Sequence, residues 1–351
     1  MANTDHPSTR LRGVPELIAT LPYQLGYQPE RSLVVTLLRR PPGGPQGAAR
    51  LHLTFRVDLP SSPADHRELC DRVVDLVRRE RADAVQLLAF EDGRDSTELL
   101  RWLADGCDLA GVLVDCEARV RQGRWLRLRE PDGSAPRWRD VPTPDRVGAS
   151  AEFVFTGAAA RASRDELVRW LGEGLPVTQR AVWSAWLDRP VATGRPVWRA
   201  GAAAWAAVIR GQGRAASVED LCALCESLLD RRFRDAVIAW LCPGQLGPAA
   251  FSPAMMQELV AHLPVSRTPG AALVETLGET CRRLPEPLSG PLLTVLAAVA
   301  WWRGSGTVAN IAVERALEVA PDYPLAQLLD QILTHAVPPG GPGRALTDAA
   351  A

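Results

Sequence analysis

Ser32-Leu33-Val34-Val35-Thr36-Leu37-Leu38 and, a short break later, Leu51-His52-Leu53-Thr54-Phe55-Arg56-Val57-Asp58-Leu59 decide the fold of this 351-residue chain. The first run is almost wholly β-prone and short enough for a strand buried on both faces. The second alternates, placing Leu51, Leu53, Phe55, Val57 and Leu59 on one side as a half-buried strand does. Arg40 to Arg50 holds three prolines and three glycines, so it reads as a turn or mobile hairpin tip joining two antiparallel strands.

Upstream, Val14 to Leu25 has helical spacing around Leu17, Ile18 and Leu21, and Pro22 should end or kink it. Gly26 to Arg31 reads as a loop. Downstream come a helix over Ala64 to Arg81 with an apolar stripe of Leu69, Val73, Leu76 and Val77, and a strand over Ala84 to Phe90. A helix capped by Ser96 follows, and then a hairpin of Val112 to Arg121 and Arg124 to Arg129 turning at Gln122-Gly123. The order ββαβαββ predicts a mixed sheet flanked by helices, with two right-handed crossovers. From Ser163 onward almost every segment has helical period, with helices expected near 176–188, 197–211, 217–229, 231–242, 253–263, 269–283, 288–302, 305–320 and 324–336. The fold class is therefore α/β plus all-α. Its expected parts are an α/β domain over 1–130, a proline-rich connecting segment over 131–162, a helical domain over 163–337 and a disordered tail over 338–351.

In that tail-end bundle, Ala309, Val313, Ala316 and Pro321 match the second helix of a tetratricopeptide unit, where small residues let helices approach closely. The same slots one repeat earlier hold Glu275, Glu279, Arg282 and Pro287, so there is one such unit and no array. Trp301 and Trp302 close the preceding helix. Being adjacent they point about 100° apart, so one is expected in the bundle and the other outside as a partner anchor. Trp183 with Trp186, and Trp198 with Trp205, share helix faces and read as core packing.

Composition excludes several classes. Hydrophobic residues make up 46% and charged residues 23%, ordinary globular values. Forty basic and forty-one acidic side chains give a charge of -1, and residues 1–150 carry 22 of each. That balance argues against nucleic acid as a partner, because counterion release needs a basic excess. Lysine is absent, so arginine fills every basic position and loses diagnostic value. The longest apolar run, Leu292 to Trp302, is too short for a membrane span. The N-terminus lacks a signal-peptide pattern, and seven irregularly spaced cysteines suit a reducing compartment, so a cytoplasmic location is expected.

Chemical motifs are few. Cys222-Ala-Leu-Cys225 sits in an amphipathic helix without two further paired ligands, so both thiols read as small buried hydrophobes and no metal or cofactor is expected. No nucleophile elbow, Walker loop or dinucleotide fingerprint occurs. Topology offers one locus, the carboxyl ends of the sheet strands. Asp58, Glu91, Asp92 and Asp115 point there by position, joined by the loop before the first strand. Tyr27, Glu30, Asp58 and Asp92 could form a cation or acid/base site there, whereas the plainer reading makes the acids helix caps. Arg119, Arg121, Arg124, Arg127 and Arg129 around Trp125 could stack bases, but charged residues also protect sheet edges.

Taken in order, several segments resemble one bacterial family, domain-of-unknown-function family 4192, found mainly in high-GC actinobacteria. They are Pro22-Tyr-Gln-Leu-Gly-Tyr-Gln-Pro-Glu-Arg-Ser-Leu-Val34, Arg56-Val-Asp-Leu-Pro60, Gly123-Arg-Trp125, Ser163-Arg-Asp-Glu-Leu167 and Arg234-Asp-Ala236. Ala300-Trp-Trp-Arg-Gly304, Ala316-Leu317 and Pro321-Asp-Tyr-Pro-Leu-Ala326 complete the set. Relatives often carry cysteines with a proline after Trp125, where this chain has Arg127 to Pro131, so a metal role there does not carry over. The resemblance implies this architecture and brings no activity, substrate or cofactor. The expected function is a non-enzymatic protein-interaction or regulatory module with a protein partner. The rival is a small-molecule- or metal-dependent enzyme using Tyr27, Glu30, Asp58 and Asp92.

Overall fold

A computed structural model describes residues 11–40, 49–60, 62–155, 158–172, 174, 183–186, 188–189, 193–211, 216–263, 270–335, 337 and 339. The chain divides into two compact units, one from Met1–Pro22 and Gln28–Glu152, the other from Tyr23–Tyr27 and Phe153–Ala351. Most of the expected hairpin tip, of the helix at 176–188 and of the tail lies outside the described residues.

A helix α1 (Val14–Leu25), of which the part up to Pro22 belongs to the first unit, precedes strands β1 (Ser32–Arg39) and β2 (Arg50–Asp58). Pro22 does not end α1. The stripe of Leu17, Ile18, Leu21 and Leu25 is buried on both sides of the proline, and this burial offsets its lost hydrogen bond. Then follow α2 (His66–Arg79), β3 (Ala84–Phe90), α3 (Thr97–Leu109), β4 (Leu113–Arg121), β5 (Arg124–Arg127), β6 (Arg139–Asp140) and α4 (Gly148–Phe155). The mixed sheet runs β2-β1-β3-β4-β5-β6. β1 is antiparallel to both neighbours, and β3–β4 is parallel. Residues Ser32 to Leu37 are all buried, as a central strand covered on both faces requires.

Leu33, Val35 and Leu37 join Val85, Leu87 and Ala89 on one face, packed against Leu69, Val73 and Val77 of α2 and Leu99, Leu103 and Cys107 of α3. Both crossover helices therefore cover the same face. Two crossovers of one hand that advance across a sheet in one direction must do so. The opposite face, with Val34, Leu88, Phe90, Ala118 and Val120, is buried too.

The expected alternation of β2 breaks at one place. Leu37 pairs with Leu53 but Leu38 with Leu51, so His52 is an extra, bulged residue. Past the bulge Leu51 is turned out, 42% exposed, and is not among the apolar residues packed on the core. His52 instead meets Glu80 after α2, with Nε2 3.0 Å from Oε2. The Gln122-Gly123 turn has φ of 50° and 71°, the two positive values that a tight hairpin needs. β5 is not the sheet edge, because β6 pairs with it from within the stretch read as a linker. Trp125, opposite Arg139 in that ladder, is buried under its guanidinium at 5.2 Å. It offers no open stacking platform.

The second unit contains α5 (Arg164–Trp170), helical residues 183–186 (α6), α7 (Arg195–Arg210), α8 (Val218–Leu229), α9 (Arg231–Leu241) and α10 (Pro253–His262). α11 (Gly270–Cys281), α12 (Glu286–Trp302), α13 (Gly306–Val319) and α14 (Pro324–Thr334) complete it. α12 is its axis. Every residue from Leu292 to Ala300 is buried, and α8, α9, α11, α13 and α14 all pack on it. Gly290 near the start of α12 faces Ala320 just past the end of α13, so the pair is antiparallel, with Ala309 and Ala316 fully buried. Trp183 and Trp205 are core residues, whereas Trp186 and Trp198, expected to pack with them, are only partly buried; Cys222 and Cys225 are buried. Burial raises both thiol pKa values, to about 11 for Cys222 and further for Cys225.

The Gly26-Tyr27 turn also belongs to this unit. Gly26 (φ 83°) lies against Leu167 and Val308, and its carbonyl accepts from Arg161 at 2.9 Å. Arg161 forks onto Glu275 at 3.1 and 3.0 Å and stacks 3.7 Å from the centre of Trp170. Trp170 donates to Glu279 at 2.8 Å and lies flush on Gly278. A Cβ at Gly278 would overlap that indole, whereas one at Gly306 meets nothing within 4 Å. Gly278→Ala should therefore lower stability by about 1–3 kcal/mol through overpacking. Gly306→Ala should be neutral or slightly stabilising. Chemical denaturation of the two variants checks the contrast.

Candidate functional site

The carboxyl ends of β2 and β3 meet the start of β1, since Ser32 lies opposite Asp58 on one side and Phe90 on the other. This rim is where the topology places a ligand site. Its best-connected group is Glu91, just past β3. The side chain is fully buried and accepts the Ser96 N–H at 2.8 Å. It also takes a forked pair of bonds from Arg119 of β4, at 2.7 Å from Nε and 3.0 Å from Nη2. Arg119 Nη1 reaches Asp95 at 2.8 Å and the Thr97 hydroxyl at 3.2 Å.

Asp95, not Ser96, caps α3, accepting the Thr97 N–H at 2.8 Å. Ser96 makes no side-chain cap bond, because its backbone is not extended and its own N–H is given to Glu91. Burial works against the Arg119 charge, but its hydrogen bonds to Glu91 and Asp95 outweigh that and hold its pKa above the usual arginine value. Burial likewise works against Asp95, yet bonds from Thr97 and the Arg119 charge lower its pKa. Arg119 and Arg121 both lie over the Trp138 indole, 5.6 and 5.8 Å from its centre.

The residues expected at this rim are dispersed. Asp58, 80% exposed, pairs with Arg56, whose Nε donates to Ser32 Oγ at 2.7 Å. Asp92 pairs with Arg31 at 3.1 Å. Glu30 is exposed, and its backbone carbonyl accepts from the Ser32 hydroxyl at 2.6 Å. Tyr27 belongs to the second unit, where it is buried and bridges to Arg161. Asp115 lies near the opposite end of β4, accepting from Gln86 at 2.7 Å. Thus Asp58, Glu91, Asp92 and Asp95 each meet a guanidinium, and among the described residues no group of three His, Cys, Asp or Glu could hold a metal ion. Arg119 and Arg56 carry the rim, and arginine abundance hid them in the sequence.

In the second unit, Trp301 and Trp302 end α12, and both are partly exposed. The expected split into one buried and one exposed indole is not found, because both extend beyond the buried Leu292–Ala300 span. Trp301 donates its indole N–H to the carbonyl of Val337 at 3.0 Å, and Arg303 lies 4.8 Å over Trp302.

One protein-family model, described as "Domain of unknown function (DUF4192)", matches residues 15–340. The chain belongs to the DUF4192 family. No curated protein and no solved structure matches it. The DUF4192 match begins in α1, runs through the rim and ends past α14, so it takes in both compact units. In this chain the rim is an electrostatic joint holding the β3–α3 and β4 ends together.

Removing Glu91 leaves Arg119 in a largely buried position with half its partners. Glu91→Ala should cost about 3–5 kcal/mol, while Asp58→Ala, at an exposed pair, should cost under about 1 kcal/mol. Urea titrations should reproduce this order, and equal costs would contradict the assignment of Glu91 as the joint.

Proposed function

We propose that this DUF4192 chain is a non-enzymatic protein-interaction or regulatory module whose helical unit presents Trp301 and Trp302 to a protein partner. The observation that carries the reading is the Trp301 bond to a main-chain carbonyl, that of Val337. An indole at the end of α12 already bonds one main-chain carbonyl, and a partner's backbone carbonyl could be bonded in the same way. Aromatic anchors at the edge of a packed bundle are the residues that dominate binding energy in interfaces.

The tetratricopeptide-like reading of the tail is supported by the antiparallel α12–α13 packing and the buried Ala309 and Ala316. A cytoplasmic setting is supported by seven free, buried cysteines. No helix among the described residues is long and apolar enough to cross a membrane. The rival enzymatic reading would need Tyr27, Glu30, Asp58 and Asp92 to act together with carboxylates free to exchange protons or hold a cation, and two of these, Asp58 and Asp92, are engaged by arginine instead.

Trp301→Ala and Trp302→Ala should each keep the fold, with melting temperature lowered by a few degrees at most, because neither indole is in the core. In cross-linked pull-downs from source cells, a protein held by the wild type should be lost by one or both variants. Capture unchanged by the double variant would overturn the assignment of this surface.

A further inference from the structure

In the second unit, α7 and α10 frame an open depression of about 590 Å³ lined by Arg195, Pro196, Arg199, Ala200, Ala203 and His262. Positions 195, 199 and 203 recur at helical spacing, so two guanidiniums and a small apolar strip share one face of α7. Glu258 of α10, its side chain 6% exposed, accepts from both arginines through Nε only, at 2.8 Å from Arg195 and 3.3 Å from Arg199. This grip orients both side chains yet leaves their terminal Nη atoms without a partner among the described residues, at 62% and 64% exposure. His262 Nδ1 donates to the Glu258 carbonyl at 2.8 Å, and its Nε2, without a partner among the described residues, can donate to an anion in the imidazolium form. Arg210 secures the end of α10 by donating to the His262 carbonyl at 2.8 Å.

We propose that this depression binds a phosphoryl group carried by a small organic molecule, with Arg195, Arg199 and His262 on the phosphate and Pro196, Ala200 and Ala203 under the organic body. Three arguments converge. A forked guanidinium presents parallel N–H donors that match phosphate oxygens, and two such forks supply more donors than a carboxylate can accept. One buried carboxylate offsets one of the two guanidinium charges, leaving a cationic surplus with its geometry fixed beforehand. The volume is that of a small-molecule site, and the alanine and proline strip gives a planar or apolar body a surface to rest on. The hydrogen bonds from Arg195 and Arg199 also hold the Glu258 carboxyl below its ordinary pKa, keeping it ionised as their anchor. The site lies on helices that the Trp301–Trp302 surface does not use, so it stands whether or not that surface binds a protein.

Isothermal titration of the full chain with phenyl phosphate, inorganic phosphate and benzoate tests it. Phenyl phosphate should bind most tightly and benzoate at least about ten-fold more weakly. Arg199→Gln should lower phenyl phosphate affinity by about ten-fold or more, and Arg199→Lys should fall between, since lysine keeps the charge but loses the fork. Arg72→Gln, an exposed arginine on α2, should leave binding unchanged. No heat with phenyl phosphate at millimolar concentration would overturn the proposal. Equal affinity for benzoate would do the same, as would wild-type affinity in both Arg195→Gln and Arg199→Gln.

Discussion

The first unit depends on β1 being hydrogen-bonded on both sides by antiparallel neighbours. Once β1 occupies the position beside β2, the chain must step over it to add β3, and a crossover of a dozen or more residues, usually a helix, spans that distance. α2 is that crossover, and α3 repeats the step one strand further. Both helices then pack on Leu33, Val35 and Leu37, so the strand that orders the sheet also supplies the middle of its core. The same register sets Asp58, Ser32 and Phe90 side by side and thereby creates the rim.

A chain without lysine handles its rim acids in a particular way. Guanidiniums fork, stack on indoles and keep their charge when partly buried, and Arg119 does all three at once. The result joins the ends of β3 and β4 to the start of α3. In the helical unit Arg161 works similarly, bound to Glu275 and stacked on Trp170. Arg234, buried, reaches Asp235 and the Tyr323 hydroxyl ahead of α14. Arg195 and Arg199 differ in bonding Glu258 through Nε, with their side chains mostly exposed.

Local pattern showed most of the fold. The apolar run of β1, the stripe of α2, the Gln122-Gly123 turn and, among the described residues, the helical periods after Ser163 follow from backbone geometry and burial, and these are present. Ser163 caps α5 by accepting the Glu166 N–H, and Glu166 reaches back to the Ala162 N–H. Features set by tertiary contact were not visible. β6 is two residues inside a proline-rich stretch, too short for any period to register. The bulge at His52 follows from a register shift between two strands, which neither strand's alternation shows alone. At the rim the acids were legible by position, but their partners were not. Arg56, Arg31 and Arg119 look like every other arginine until the sheet brings them to a carboxylate.

Native-state amide hydrogen exchange tests the organising role of β1 most directly. The amides of Leu33 to Leu37 should exchange only through global opening of the first unit, and should be more protected than those of Arg124 to Arg127 beside the two-residue β6. Protection of β1 equal to or below that of β5 would show that the sheet is not built around this strand, and would contradict its central place in the first unit.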